Sequence, residues 1–307
     1  MSAAESRPSA VRVRVPASSA NLGPGFDCLG LALSLYDEVS LAVTDGGLAV
    51  DVSGAGAATV ARDETNLLVR ALRVGLSTEG LAPGGLALSC VLRIPHGRGL
   101  GSSAGAVVAG LLAARALAGG PTGPGETADL LPAAAALEGH PDNVAACLLG
   151  GLTLAWVGEG QARAVRLDPH ESIAPVVLIP TGSLDTGTAR RLLPATVPHS
   201  DAAANSGRAA LLVHALTTDP SLLLAATQDR LHQRYRATAM PDTLVLVDAL
   251  RAAGVAAAVS GAGPSVVALP VEEVSRPTLE ELAALAGPGW SAHRLPVDMT
   301  GAAVSRC

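Results

Sequence analysis

Ser102 and Ser103 stand directly behind three alternating glycines in "PHGRGLGSSAG" (residues 95–105), and a long apolar run follows them. A strand candidate ends at Pro95, and the pattern predicts a helix beginning near Ser102. Gly97, Gly99 and Gly101 let the backbone turn sharply and approach a ligand closely. The first amides of a helix have no intrahelical partner and lie at the positive end of its dipole. A glycine loop running into a helix is therefore an anion site, for phosphate above all. The two serines add hydroxyls that can cap the helix or reach a metal ion. Three readings stay open on these residues: a glycine-rich helix start with a serine cap, a dinucleotide fingerprint on Gly99-x-Gly101-x-x-Ala104, and a triphosphate cradle other than the Walker A loop. The fingerprint is weakened by its place far into the chain and by the lack of a strand ending in Asp or Glu about 20 residues later. A Walker A loop is excluded, because all 21 basic residues are arginine. The same absence of lysine removes Schiff-base nucleophiles and the lysine of eukaryotic-type protein kinases.

Other chemistry-bearing residues are scattered along the chain. "LEGHPDN" (137–143) brings Glu138, His140, Asp142 and Asn143 together. His140 and Asp142 are candidate general bases, but "HPDN" also fits a helix start capped by Asp142 or Asn143. Glu138 reads on its own as a solvated carboxylate in a helix's last turn. Asp27 is a partner for an ammonium, and Arg190 and Arg236 are partners for a carboxylate. Most arginines are surface residues, and Arg191, next to Arg190, is expected to be one. Asn21 in "NLGPG" doubles as a turn residue, and Asn66 in "TNLL" as a helix N-cap.

These residues need a large scaffold. The 307 residues suffice for two domains, and 49% of them are apolar, almost all aliphatic, since the chain has one Phe, two Tyr and two Trp. A net charge of −6 and few aromatics argue against nucleic acid as a partner. Cys28, Cys90, Cys147 and Cys307 form no CxxC pair, which speaks against a zinc knuckle or redox dithiol and fits a reducing, cytoplasmic setting. The first ten residues carry no apolar signal core, and no span of about 18 strongly apolar, charge-free residues occurs, so no membrane association is expected.

Residues 11–15 alternate as a strand, 16–30 read as a loop, and 31–43 and 48–54 as further strands. Helical spacing over 64–76 precedes a strand at 86–94, and the helix after Ser103, apolar nearly all round, must be buried. Helices follow over 127–139 and 140–151, with a strand at 151–156. Strands at 163–167 and 175–180 come next, then helices near 186–193, 202–217, 220–236 and 241–253. Two strands flank a glycine turn in 255–269, ahead of a helix at 277–286 and a last strand at 291–298. The mixture lacks a regular βαβ period, which favours α+β over a doubly wound sheet, with domains at 11–157 and 158–307.

"PHGRGLGSSAG" resembles the ATP-binding signature of the GHMP kinases. "VPASSANLGPGFDCLGLAL" (15–33) resembles their N-terminal substrate motif, and "VSGAGPSV" (259–266) their C-terminal glycine motif. Within that family, "ASSANLGPGFDCLG", "LEGHPDNVAACLLGG", "DTGTARRLLP" and "DRLHQRYR" are similar to stretches of the homoserine kinases; the resemblance covers roughly 11–298. One departure is Arg234, where the branch has proline in "HQPYR". The resemblance implies a two-domain fold with a ribosomal protein S5 domain 2-like N-terminal half and a ferredoxin-like C-terminal half, the site lying in the cleft between them.

It also implies ATP and L-homoserine as substrates, Mg²⁺ as cofactor and a homodimer. Pro95, His96, Gly97, Arg98, Gly99, Leu100, Gly101, Ser102, Ser103, Ala104, Gly105 and Asn66 would bind ATP. Ser103 and Glu138 would hold the metal, with Ser102 as the other candidate hydroxyl. Asn21, Asp27, Asn143, Thr186, Arg190 and Arg236 would bind the acceptor. Gly261 and Gly263 are expected to pack the third motif against the phosphate loop. Related kinases use an Asp base paired with a Lys; this chain has Asn143 at the aligned position and no lysine, so Asn143 would align the acceptor hydroxyl without serving as a base. Competing readings are a kinase of the same family acting on mevalonate, a sugar or shikimate, and a non-catalytic sensor on the same fold.

Overall fold

The computed structural model describes residues 8–123, 125–271 and 277–306; Cys307 lies outside the described residues. Two sheets organise it. The larger has seven strands: β1 (Ala10–Asn21), β2 (Gly25–Thr44), β3 (Gly47–Gly54), β4 (Gly85–Leu92), β5 (Leu152–Gly158), β6 (Gln161–Leu167) and β11 (Ala303–Arg306). Its main path runs β11-β1-β2-β4-β3, and β5 pairs with both β2 and β6. Among the described residues only β3 and β4 pair in parallel in this sheet; its other pairings are antiparallel. The second sheet is antiparallel, in the order β10-β7-β9-β8, from β7 (Val176–Pro180), β8 (Ala256–Val259), β9 (Val266–Leu269) and β10 (Trp290–Arg294). An α+β arrangement is therefore observed, as the sequence pattern predicts. Sequence order and sheet membership diverge at β6 and β11, which join the larger sheet although they follow residue 158.

The helices are α1 (Leu67–Thr78), α2 (Ser102–Leu117), α3 (Leu131–Glu138), α4 (Asp142–Leu149), α5 (Thr186–Arg191), α6 (His199–Thr217), α7 (Leu223–Ala226), α8 (Pro241–Ala252) and α9 (Leu279–Ala286). Apolar all round, α2 is buried along nearly its whole length, packed with α1 and α4 over the larger sheet. A second apolar cluster joins the two halves: Ala17, Leu22, Leu31 and Leu100 meet Val177, Leu212, Leu216 and Val267. Burial of this kind contributes roughly 25 cal/mol per Å² of apolar surface, enough to hold the walls of a cleft in one relative position. A third cluster packs α8 and α9 onto the smaller sheet. Among the described residues no helix is long and apolar enough to cross a membrane.

Three expectations need correction. Residues 16–30 are not a loop: β1 continues to Asn21, the chain turns through Leu22 and Gly23 with positive φ, and β2 starts at Gly25. Ser18 and Ser19 suggest a loop by composition, yet they are fully buried, with their hydroxyls bonded to Asn143 and Ser260. Residues 220–236 do not form one helix. After α7 the Asp229 carboxylate accepts from the amides of Leu231, His232 and Gln233, in competition with helical hydrogen bonding. A short 3₁₀ turn, Arg234–Arg236, then presents Arg236. The C-terminal strand β11 lies beyond the last predicted strand.

Arg234 pairs with Asp248 on α8, both side chains being about half exposed or more (64% and 49%). Gln233 is in the α region, a conformation that a following proline disfavours, and its Oε1 accepts from the Val259 amide. Arginine at 234 thus permits the local turn. Exposed ion pairs contribute about 0–1 kcal/mol, so Arg234→Ala is expected to leave kcat/KM within about threefold, as a steady-state assay will read.

Candidate active site

A cleft of about 430 Å³ opens where the glycine loop meets α2, and it is lined by Gly97, Gly99, Gly101, Ser102, Ser103, Glu138, His140, Asn143, Arg190 and Arg236, among others. Gly101 is the N-cap of α2, in the left-handed region (φ 70°), and no side chain caps the helix. The serine-cap reading is thereby overturned: the first amides of α2 stay available, and Ser103 Oγ donates instead to Glu138 Oε1 at 2.5 Å. Gly99 also has positive φ (68°), and a Cβ there would run into the carbonyl oxygen of Ser260. Ser260 Oγ lies 2.6 Å from the Gly99 carbonyl and 2.8 Å from Ser19 Oγ, and the Gly261 amide donates to Ala20 O. The first and third motifs therefore clamp the loop from both sides.

Gly99→Ala combines forced left-handed backbone with that collision. It is expected to cost about 2 kcal/mol of stability and to depress turnover, read as a lower urea midpoint and a lower kcat.

Arg98 faces away from the cradle. Its guanidinium donates to the carbonyls of His96, Pro180 and Thr181, tying the loop to the end of β7. Asn66 is the N-cap of α1: Oδ1 accepts from the Leu68 and Val69 amides, and Nδ2 donates to Ala61 O. It lines the cleft, with its amide already engaged at both ends.

The acidic side is built from α3 and α4. Glu138 ends α3, and burial pushes its carboxyl above the ordinary range. Asp142 opens α4 without capping it, and its Oδ1 accepts from the Asn143 amide at 2.7 Å and lies 3.0 Å from His140 Nδ1. Burial works against charge on His140, but the hydrogen bond and the charge of Asp142 prevail and hold its pKa above the usual value. Asn143 Oδ1 accepts from Ser18 Oγ at 2.8 Å, so Ser18 fixes which way the amide faces. A Cβ at Gly101 would collide with that hydroxyl.

The opposite side is basic. Asp27 and Arg190 form a bidentate pair at 2.5 and 3.1 Å. Asn21 braces Asp27, accepting from its amide at 2.9 Å while donating to Gly261 O at 2.8 Å. Arg236 is 1% exposed, with Nη1 3.1 Å from His232 Nδ1 and 3.4 Å from Gly261 O. Burial, helped by the charge of Arg190, pushes the Arg236 pKa down to about 10. Its Nε is buried with no acceptor among the described residues. Thr186 opens α5, which Asp185 caps, and Thr186 also lines the cleft. Arg191 is exposed and bonds only Thr188, as expected of a surface residue.

Residues 66–151 match the GHMP kinases N terminal domain, and residues 212–285 match the GHMP kinases C terminal domain. A homoserine kinase from Streptomyces avermitilis is 57% identical over 298 residues, covering 97% of this chain and 96% of the relative. One from Clavibacter michiganensis is 51% identical over 296 residues, covering 96% and 93%. The crystal structure of homoserine kinase from Cytophaga hutchinsonii superimposes with a TM-score of 0.83 at 29% identity, over 98% of this chain and 99% of that one. The chain belongs to the GHMP kinase family. This GHMP kinase has the family's two domains, and the cleft lies where its three motifs converge. Sequence reading missed Ser18, which bonds the Asn143 amide, and His232, which touches Arg236; the available signal was that Ser18 falls inside the first motif and His232 four residues before Arg236.

Proposed function

We infer that this GHMP kinase transfers the γ-phosphoryl group of ATP to the side-chain hydroxyl of L-homoserine, giving ADP and O-phospho-L-homoserine, a step towards threonine. One observation carries the reading: the uncapped amides of α2 and the Ser103–Glu138 pair share a cleft with Arg190 and Arg236, and Asp27 is paired with Arg190. Phosphoryl transfer needs charge neutralisation and alignment more than covalent chemistry, and the first set supplies an anion cradle. The second set complements a zwitterion: Asp27 takes the ammonium, and Arg190 and Arg236 take the carboxylate. Arg236 Nε, buried and without an acceptor among the described residues, supports this, since such a donor is costly unless a ligand accepts from it. Asn21 and Thr186 add neutral polar contacts.

The donor set also fits Mg²⁺. Ser103 and Glu138 offer a hydroxyl and a carboxylate, hard oxygens that suit it, and Glu138 is half-buried with no basic partner bonded to it among the described residues. An ion held by one carboxylate and substrate phosphates is a usual arrangement for Mg²⁺. When bound, the ion neutralises charge on the transferring phosphates. Ser102 stands beside Ser103 as the other hydroxyl.

Asn143 aligns the acceptor hydroxyl and takes no proton, because an amide is not a base. Ser18 occupies its Oδ1, which leaves Nδ2, 3.5 Å from Asp142 Oδ1, as the end that would donate to the acceptor oxygen. The hydroxyl proton leaves late, to the γ-phosphate. Asn143→Ala is expected to lower kcat by about 10²-fold, and His140→Ala and Asp142→Ala by less than about 10⁴-fold. A larger loss for either of the last two would make the hydrogen-bonded pair they form the base.

A coupled ADP-release assay with homoserine, mevalonate, galactose and shikimate tests the function. Turnover with homoserine alone is expected; none with homoserine would overturn it, either for another acceptor or, if all are inert, for a sensor.

A further inference from the structure

We propose that Phe26 and His232 are positioning residues that hold the two guanidiniums of the carboxylate site in register: Phe26 presents its ring to both, and His232 accepts a hydrogen bond from Arg236. The inference rests on the homoserine reading above. Phe26 is the only phenylalanine of the chain and lies at the start of β2, one residue before Asp27. Its ring stacks on His232, with centroids 5.0 Å apart and planes 24° from parallel. The guanidinium carbons of Arg190 and Arg236 lie 5.6 and 5.5 Å from the same ring centroid. Two like charges at one site repel, and the aromatic quadrupole offsets that repulsion while limiting where each plane can lie. An aliphatic side chain would fill the volume without doing either.

His232 is fully buried, and its contacts specify one tautomer. Nε2 lies 2.8 Å from the Gly23 carbonyl, which can only accept, so Nε2 carries the hydrogen. Nδ1 is therefore bare and accepts from Arg236 Nη1, which can only donate. The groups facing His232 are Asp229, 3.6 Å from Nε2, together with Arg236 and Asp27. Burial favours the neutral ring and Arg236 adds to that, while the two carboxylates oppose it; the balance lies below the ordinary histidine range. Protonation would place a hydrogen on Nδ1 against the guanidinium and release Arg236 from its position.

Steady-state kinetics of the full chain test this. Phe26→Leu is expected to raise KM for homoserine about tenfold, with kcat and KM for ATP within about twofold, because only the carboxylate site loosens. A general structural disturbance would instead lower kcat and raise both KM values, and that result, or an unchanged homoserine KM, overturns the role of Phe26. The second arm follows homoserine KM from pH 8 to pH 5, each protein normalised to its own value at pH 8. The wild type is expected to show a rise of about threefold or more confined to the acid end of the series, below the ordinary histidine range, through His232, whereas any step above that range belongs to His140, whose pKa is held above it. His232→Gln, which can still donate to Gly23 and accept from Arg236 but does not titrate, should abolish the rise. Persistence of the rise in His232→Gln, or its absence from the wild type, overturns the role of His232. A wild type with no homoserine turnover defeats the underlying reading, and this inference with it.

Discussion

Glu138→Gln is expected to lower kcat by about 10³-fold while leaving KM for homoserine nearly unchanged. Glutamine keeps the length and the oxygen that accepts from Ser103 Oγ, so the contact between α2 and α3 survives. What it removes is the negative charge, and a neutral amide is a poor ligand for a hard divalent cation. Asp27, Arg190 and Arg236 are untouched, which is why acceptor binding should hold. Stability should move the other way. Burial raises the carboxyl of Glu138, so the folded protein holds that proton more tightly than the unfolded chain does. Such a group lowers stability as pH rises through the interval between its unfolded and folded pKa values. Glutamine does not titrate and escapes that loss, so its melting temperature at pH 8 should equal or exceed the wild type's. Turnover measured across a magnesium titration, together with thermal melts, checks both halves. A kcat within tenfold of wild type would remove Glu138 from the metal site, whatever the melts show.

A change that stabilises the protein while disabling it is expected wherever a charge is buried for chemistry rather than for packing. It also bears on what could be read from the sequence. The glycine loop ahead of α2 was legible because its signals are local: three spaced glycines, two hydroxyls and an apolar helix in sequence. Glu138 was not legible from its own surroundings, because burial depends on the packing of α2, 35 residues away at Ser103. The same holds for Ser18 and Ser19, whose composition suggests a loop and whose partners are 125 and 241 residues away. Asn66 shows the opposite limit: a cap and a ligand contact have the same local signature, and only the bonds to Leu68, Val69 and Ala61 reveal the cap. The strand β11 is four residues long and specified by its pairing with β1, not by its own pattern. Phe26 and His232 are ordinary apolar and polar residues until the fold brings both against Arg236.

Arg190→Gln, and separately Asp27→Asn, is expected to raise KM for homoserine by about 10²-fold, with kcat reduced much less. The two residues satisfy each other through a bidentate pair. On the proposed reading a zwitterionic acceptor would enter by exchange: its carboxylate would take the place of Asp27 at the guanidinium, and its ammonium the place of Arg190 at the carboxylate. Exchange conserves charge balance, so neither ion is left bare in the closed cleft. Removing one partner breaks this symmetry. With Asp27→Asn the ammonium would meet no charge, and with Arg190→Gln the carboxylate would keep only Arg236. Each loss of a charge-assisted contact is worth about 1.5–3 kcal/mol. The pair itself contributes little to folding, since both side chains are 35% exposed and water screens them, so melting temperatures should shift by only about a degree or two. The double variant gives the sharper reading. Because the residues bond each other and, on the proposed reading, would bind opposite ends of the acceptor, their effects on KM should be non-additive, with the pair costing less than the product of the single changes. Strict additivity would mean that Asp27 and Arg190 meet the acceptor independently, and an unchanged KM in either single variant would place the zwitterion elsewhere in the cleft.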